Sequence, residues 1–570
     1  MARRGVPSLF QHLSAARPLS RMQNFAASPS RHREQPSASQ PIDVMRRYAG
    51  PLCVAIASWF AVVATLGPVP AGPGITVDEY YDAAAGKELV QAVWNQGLSF
   101  FRFANIERNF AHLTLHPPLA RLCLGLAHAP FDARPGEPAA VWIPAARLAP
   151  ATGFAVMILL VGAATTQVAG PLAGAASSLA LALMPRALAH AHFATLDTLQ
   201  TLFCMIAIVS LWLAVESTRP TRWKYVLAGV AWGLALLAKI NGALLAPPLL
   251  IWLLWTKRRQ AWQPILLWIS AGGATFFLGW PWLWPHPWAR AVQFFATASD
   301  RQSLHNFYLG QVWRDIDTPW HYPWVMTLVT IPVALLAIGL VGALWRPAAN
   351  SGGRSLWSLT LAVLLFTLLL FSLPGTPVYD GARLFLIAYP LWAILVGMGT
   401  SRIGEWLAPQ KFPVWAAPLA LLTFLATSIF GVVSYHPFQT SYYNLLVGGL
   451  GGAERLGFEV TYWGDAANAR LMDRLAQVAP QQTVVFAPEL APFQTMATQI
   501  AFPVLGEQGV RLVPWNANAP ADSRPRWAVV YNRRAESESL SPLLRGDRVV
   551  FENVRDGVWV ARILQLEGEQ

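Results

Sequence analysis

The sequence predicts a polytopic α-helical membrane protein with about 11 to 13 transmembrane helices and an extracytoplasmic α/β domain at its carboxyl end. Three observations lead there. Of 570 residues, 54% are hydrophobic and only 13% charged, with a mean hydropathy of +0.38, an apolar content beyond that of ordinary soluble domains. Long apolar runs alternate with short arginine-bearing loops, as repeated bilayer crossings require. Beyond residue 440 this pattern gives way to short β-rich runs. The 26 tryptophans suit the membrane interface, where an amphipathic ring keeps its polar edge among the headgroups.

The net charge of +12 is unevenly spread. Residues 1–47 hold eight arginines against Glu34 and Asp43, half of the total charge, whereas twelve arginines and fourteen acids follow residue 440. Basic residues beside the cytoplasmic ends of spans account for this better than a nucleic-acid face, and no nucleic-acid-binding motif is present. Cys53, Cys123 and Cys204 lie in apolar segments at unrelated spacings, which excludes a disulfide framework or thiolate metal site.

Taken in order, residues 1–47 form a basic cytoplasmic tail without regular structure. Their Arg, Ser, Ala and Pro content also suits a transit peptide, and Met45 is an alternative start. Residues 48–434 form the transmembrane module. The first span, 48–68, leads to an outer loop over 69–117, and residues 118–131 dip into the membrane without crossing. Further spans are expected near 143–168, 172–185, 198–215, 225–238, 242–256, 264–284, 323–345, 355–373, 384–401 and 413–434. Arg219, Arg222 and Lys224 at one junction, and Lys257, Arg258 and Arg259 at another, make the stretch between them a hairpin with Lys239 to Gly242 at its outer tip. Parity then places the amino terminus in the cytoplasm and residues 435–570 outside. Runs at 483–486, 527–531 and 548–551 read as strands, and 466–478 as a helix, enough for a small α/β domain. Trp280, Trp282, Trp284 and Trp288 read as an interfacial belt.

Four polar clusters fall on the outer face. They contain Asp78 and Glu79 with Arg102 and His116; Arg186 to Asp197; Lys239 with Asn241; and Tyr379 to Arg383. Ionisable groups at membrane depth line cavities or pair with one another. Cations such as Arg102, Arg186, Lys239 and Arg383 suit a phosphate leaving group, and a carboxylate such as Asp78 can deprotonate an attacking hydroxyl. Plainer readings exist for each. Asp78-Glu79 also reads as a solvated helix start, Asp197 as a helix cap, and Lys239 and Arg383 as interface anchors. His190 and His192, two residues apart, fall on different helical faces and make a poor metal pair.

The ordered motifs, Asp78-Glu79 after the first span, His116-Pro117-Pro118-Leu119, Phe193 to Asp197, and Leu237 to Gly242, resemble those of the protein O-mannosyltransferase family. More broadly the chain is similar to lipid-carrier-dependent glycosyltransferases of the GT-C fold, in a bacterial-type form. The tail motifs His436-Pro437-Phe438-Gln439 and Thr461 to Asp465 look like bacterial members with an outer carboxyl-terminal domain.

This resemblance implies inverting sugar transfer from a polyprenyl-phosphate donor at the outer face of the cell (inner) membrane. It implies Asp78 as base, Glu79 beside it as a second catalytic residue, and His116, Asp197 and Arg383 as site residues. With Arg102, Arg186 and Lys239, read above from their charge, these three make up the expected substrate-binding residues. The donor is a lipid-linked sugar, and the acceptor, whether protein, lipid or glycan, stays open. Membrane lipids are its other partners, with no nucleic acid. No cofactor is required by the sequence, although paired carboxylates leave a divalent metal open. A transporter or flippase for a lipid-linked or anionic solute is the alternative.

Overall fold

The computed structural model describes residues 40–67, 72–113, 116–132, 141–219, 221–299, 303–348, 351–407, 427–516, 525–544 and 548–566, with 413, 415 and 419 between them. The expected tail lies outside the described residues up to 39, and so does half of the expected span at 413–434. Two compact units divide the chain at residues 44 and 45. Among described residues, four segments are long and apolar enough to cross a membrane, or up to six if two bent pairs each count as one. The chain is therefore multi-pass and helical, while a count of 11 to 13 exceeds what these helices establish.

Helix α1 runs over Gln40–Val63, followed by the loop helices α2 (Glu79–Gln96), α3 (Phe103–Phe110) and α4 (Leu119–His128). The long α5 (Ile143–Ala169) precedes the bent pair α6 (Pro171–Ala182) and α7 (Pro185–Ala191). Proline at or next to the first helical position starts α5, α6 and α7, where its missing N–H costs nothing. Helices α8 (Leu196–Glu216), α9 (Arg222–Ala238), α10 (Ala246–Lys257) and α11 (Trp262–Gly279) follow, with α9 packed between α8 and α11. The expected hairpin tip is a 3₁₀ turn over Ile240–Leu245 between α9 and α10. Next come α12 (Pro287–Ser299), α13 (Tyr322–Thr330), α14 (Val333–Leu344), α15 (Gly352–Leu370) and α16 (Ala388–Leu407). The bend between α13 and α14 is 118°.

Glycine sets how closely α2 and α4 approach. A Cβ on Gly86 would sit 2.1 Å from the Arg121 carbonyl oxygen, and one on Gly125 would sit 2.1 Å from the Gly86 carbonyl oxygen. The helices meet backbone to backbone, which anchors the loop carrying Asp78 and Glu79.

Beyond residue 427 the chain forms α17 (Ile429–Tyr435), α18 (Gly449–Arg455), α19 (Ala469–Val478) and α20 (Gln494–Ala501). A hairpin, β1 (His305–Tyr308) and β2 (Gln311–Arg314), lies earlier in the chain. The strands β3 (Thr483–Ala487), β4 (Arg511–Pro514), β5 (Trp527–Tyr531), β6 (Arg548–Arg555) and β7 (Val558–Gln565) make one sheet in the order β4-β3-β5-β7-β6. β3 pairs in parallel with β4 and β5, while β7 runs antiparallel to β5 and β6. The runs read as strands at 483–486, 527–531 and 548–551 lie in β3, β5 and β6.

The tryptophan belt needs correction. Trp280 and Trp282 are buried with Phe294 and Leu283, and only Trp288 of the four is exposed. Their rings belong to an apolar cluster with Leu89, Phe100, Phe110 and Leu237, so spacing along the sequence did not reveal which indoles face outward.

Candidate functional site

The loop before α16 turns sharply at Asp380 and Gly381, both at positive φ (54° and 66°). A left-handed aspartate is uncommon and a glycine after it relieves the turn. The turn brings the Asp380 carboxylate back over Arg383, whose Nη1 donates to Oδ2 at 3.1 Å. The same guanidinium donates through Nε to Asp197 Oδ2 at 3.0 Å and through Nη2 to Asp78 Oδ2. Its plane lies 4.1 Å from the ring of Trp463.

Two further cations complete the network. Lys239 Nζ, just past the end of α9, donates to Asp197 Oδ1 at 2.7 Å. Arg533, just past β5, donates to Asp380 Oδ1 at 3.1 Å. Asp78, Asp197 and Asp380 thus balance Arg383, Lys239 and Arg533. Most of these groups are nearly buried, but the Asp78 side chain is 33% exposed and opens the network to its surroundings. Burying so many charges is tolerable only because each is paired and hydrogen-bonded.

Beside the network lies a pocket with one polar end and apolar walls. Asp197, Lys239, Arg383, Asn241 and Thr201 form the polar end; Leu244, Leu245, Phe371, Leu384 and Ile387 form the walls. The His116 imidazole has an unpartnered buried Nδ1. Burial and the positive charges of Arg121 and Lys239 hold its pKa well below the usual histidine range, so it is neutral.

Glu79 is adjacent to Asp78 in sequence and points elsewhere. It is fully buried and receives Arg147 Nε at 2.7 Å and Nη2 at 2.8 Å. The backbone N–H groups of Thr76 and Ala194 donate to it at 2.8 and 2.7 Å. Arg147 also donates to the carbonyls of Leu66 and Gly74. No acceptor capacity remains for a substrate, and the expectation of Glu79 as a second catalytic group gives way to a fixed ion pair. The two adjacent carboxylates diverge onto different arginines, so they cannot share a cation. Among the described residues, no group of three His, Cys, Asp or Glu side chains is placed to hold a metal.

Of the other expected residues, Arg186 is buried 4.7 Å from the Tyr443 ring, and its Nε donates to the Tyr442 carbonyl. It does not line the pocket. Arg102 is exposed at the start of α3 and makes none of the network's bonds. Three contributors were not among the expected site residues. Asp380 stood within a quoted cluster without a role. Trp463 stood in a tail motif. Arg533 had no signal in the sequence, since it reaches Asp380 from 153 residues away.

Helices long enough for several crossings, with a paired charge network at their ends beside an apolar-walled pocket, define a multi-pass membrane protein with a buried ionic site. Residues 116–284 match the family model described as dolichyl-phosphate-mannose-protein mannosyltransferase. The resemblance read from the motifs is borne out over that stretch, which contains His116, Asp197 and Lys239, and it supports glycosyl transfer as the general activity. No curated protein matches the chain. Solved structures similar to it include ArnT from Cupriavidus metallidurans in the apo state, at 15% identity over 92% of this chain and 98% of that one, TM-score 0.49. The Archaeoglobus fulgidus oligosaccharyltransferase is similar at 12% identity over 81% of this chain and 64% of that one, TM-score 0.43. Arabinofuranosyltransferase AftD from Mycobacteria is similar at 15% identity over 91% and 40%, TM-score 0.42.

Proposed function

We propose that this chain transfers a sugar from a polyprenyl-phosphate-linked donor to an acceptor hydroxyl at the outer face of the cell (inner) membrane, with inversion and with Asp78 as base. In this reading residues 48–434 form the membrane module and 69–117 its catalytic outer loop. Residues 435–570 form an outer domain that supplies Trp463 and Arg533, and the amino terminus faces the cytoplasm.

The observation that carries the reading is the bond to Asp78 from Arg383, which with Lys239 and Asp197 forms the polar end of a pocket with apolar walls. A polyprenyl phosphate has the same two parts. As the donor enters, its phosphate takes Arg383 and Lys239 by charge-assisted hydrogen bonds. Arg383 then releases Asp78, whose carboxylate accepts the proton of the acceptor hydroxyl. The hydroxyl oxygen bonds to the anomeric carbon from the face opposite the phosphate. The bond from that carbon to the phosphate oxygen breaks, and its electron pair stays on the polyprenyl phosphate, stabilised by the two cations. Asp380 and Arg533 hold Arg383 throughout, and neutral His116 is positioned to accept or donate one hydrogen bond to the sugar. Glu79 positions Asp78 by fixing the first residues of the outer loop.

Purified protein supplied with a radiolabelled polyprenyl-phosphate sugar and a mixed acceptor fraction tests the reading. Label should move to acceptor with wild type and not with Asp78→Asn. Movement of the intact donor across vesicles without sugar transfer would overturn it in favour of a flippase.

A further inference from the structure

A second cationic cavity lies at the other end of the α9–α11 array. Arg222 opens α9, Lys257 ends α10, and Arg259 sits in the short turn before α11; with Tyr225, Trp262 and Gln263 they line one pocket. Lys239 lies seventeen residues along the chain from Arg222, at the opposite end of α9, or about 25 Å at 1.5 Å per residue. This cavity is therefore on the membrane surface opposite the Arg383 network.

The charges of the two sites are arranged differently. Lys239 and Arg383 are each bonded to carboxylates, whereas among the described residues no Asp or Glu lines the second cavity. Lys257 Nζ donates one hydrogen bond, to the Val215 carbonyl at 3.0 Å. With its amide oxygen turned toward Arg222, Gln263 accepts from Nε at 2.8 Å and Nη2 at 3.2 Å, which steadies that guanidinium. Three like charges around one cavity repel one another and attract an anion.

The surroundings narrow the ligand. Leu254 and Trp255 on α10 and Trp262 and Leu266 on α11 are all more than half exposed. A helix pair with large apolar side chains outward is clothed in acyl chains within a bilayer. The ligand then has an anionic phosphate at the level of the basic residues and hydrocarbon alongside the helices.

We propose that Arg222, Lys257 and Arg259 form a binding site for an anionic phosphate group, carried by a membrane phospholipid in the leaflet opposite the ion-pair network. Basic pockets between transmembrane helices hold lipid phosphates in this way. The proposal does not depend on glycosyl transfer.

The test uses the full chain purified in detergent, titrated with phosphatidylglycerol, phosphatidylcholine or inorganic phosphate and read by native mass spectrometry. Wild type should retain phosphatidylglycerol and little phosphatidylcholine. The triple variant Arg222→Gln, Lys257→Gln, Arg259→Gln should bind phosphatidylglycerol on the order of a hundred-fold more weakly. Arg548→Gln, an exposed position on β6 outside both cationic sites, should bind it like wild type. Inorganic phosphate displacing the lipid at equal concentration would identify a free anion as the source of the same chemistry. Equal retention of phosphatidylglycerol by wild type and a triple variant with unchanged thermal unfolding would overturn the site. If the triple variant fails to fold, Arg259→Gln alone replaces it, since Arg259 is exposed in a turn, and unchanged affinity there has the same meaning.

Discussion

The guanidinium of Arg383 is bonded to the carboxylate of Asp78 across 305 residues of chain. In the proposed reaction one partner of this pair binds the leaving phosphate and the other takes the acceptor proton. Base and phosphate ligand are therefore masked by each other until a competing anion arrives. A neutral network of three acids and three cations cannot admit a phosphate without a carboxylate giving way. Asp78, the most exposed of the three acids at 33%, is the one placed to move.

Asp78→Asn should preserve shape and remove the proton acceptor. Transfer should fall on the order of 10²- to 10⁴-fold, with donor affinity equal to or better than wild type because Arg383 loses a competing anion. Turnover is measured with saturating donor. Wild-type turnover would show that Asp78 is not the base.

Glu79→Gln should act through folding. It leaves Arg147 buried without a counter-charge, and breaking a buried pair from one side costs about 3–5 kcal/mol. The variant should lose thermal stability, and the fraction that folds should retain much of its turnover. A stable protein with abolished turnover would return Glu79 to the chemistry.

Asp78 and Glu79 could not be told apart in sequence because adjacent residues share every local signal. Their partners separate them, and Arg147 lies 68 residues from Glu79. Arg147 itself sits inside an apolar run, where the pattern gives only a span. The acids and bases at helix ends were legible because charge is rare in such a chain. Thus Asp197, Lys239 and Arg383, read from loops and span ends, do converge. Arg102 and Arg186 carried the same signal and do not line the pocket, since a charge at a span end says nothing about which way the side chain turns. Arg533 belongs to a polar segment where arginine is ordinary, and only the folded chain brings it to Asp380.

Replacing the phosphate ligands should raise the Michaelis constant for donor. Lys239→Ala and Arg383→Ala each remove a charge-assisted hydrogen bond to the carrier phosphate. Arg383→Lys should rescue poorly, because an ammonium cannot bond Asp78, Asp197 and Asp380 with one planar fork. Turnover at saturating donor should also fall for Arg383, whose charge stabilises the departing phosphate. Unchanged constants in both alanine variants would leave these cations as structural pairs only.

Stability should depend on pH through Glu459. Its carboxylate accepts the backbone N–H groups of Arg534 at 2.5 Å and Ala535 at 2.9 Å, directly after Arg533, and so fixes the turn that holds Asp380. Burial pushes its pKa up from 4.5 to about 7, against the nearby charge of Arg533. The folded chain therefore binds more protons here than the unfolded chain between these values, so the contribution is greatest below about 4.5 and is lost as pH rises through about 7. Thermal unfolding of wild type and Glu459→Gln across this range measures it. Glutamine keeps an acceptor for only one of the two N–H groups and cannot ionise, so the variant should start less stable and gain on wild type as pH rises. Parallel curves for the two proteins would show that Glu459 titrates alike folded and unfolded.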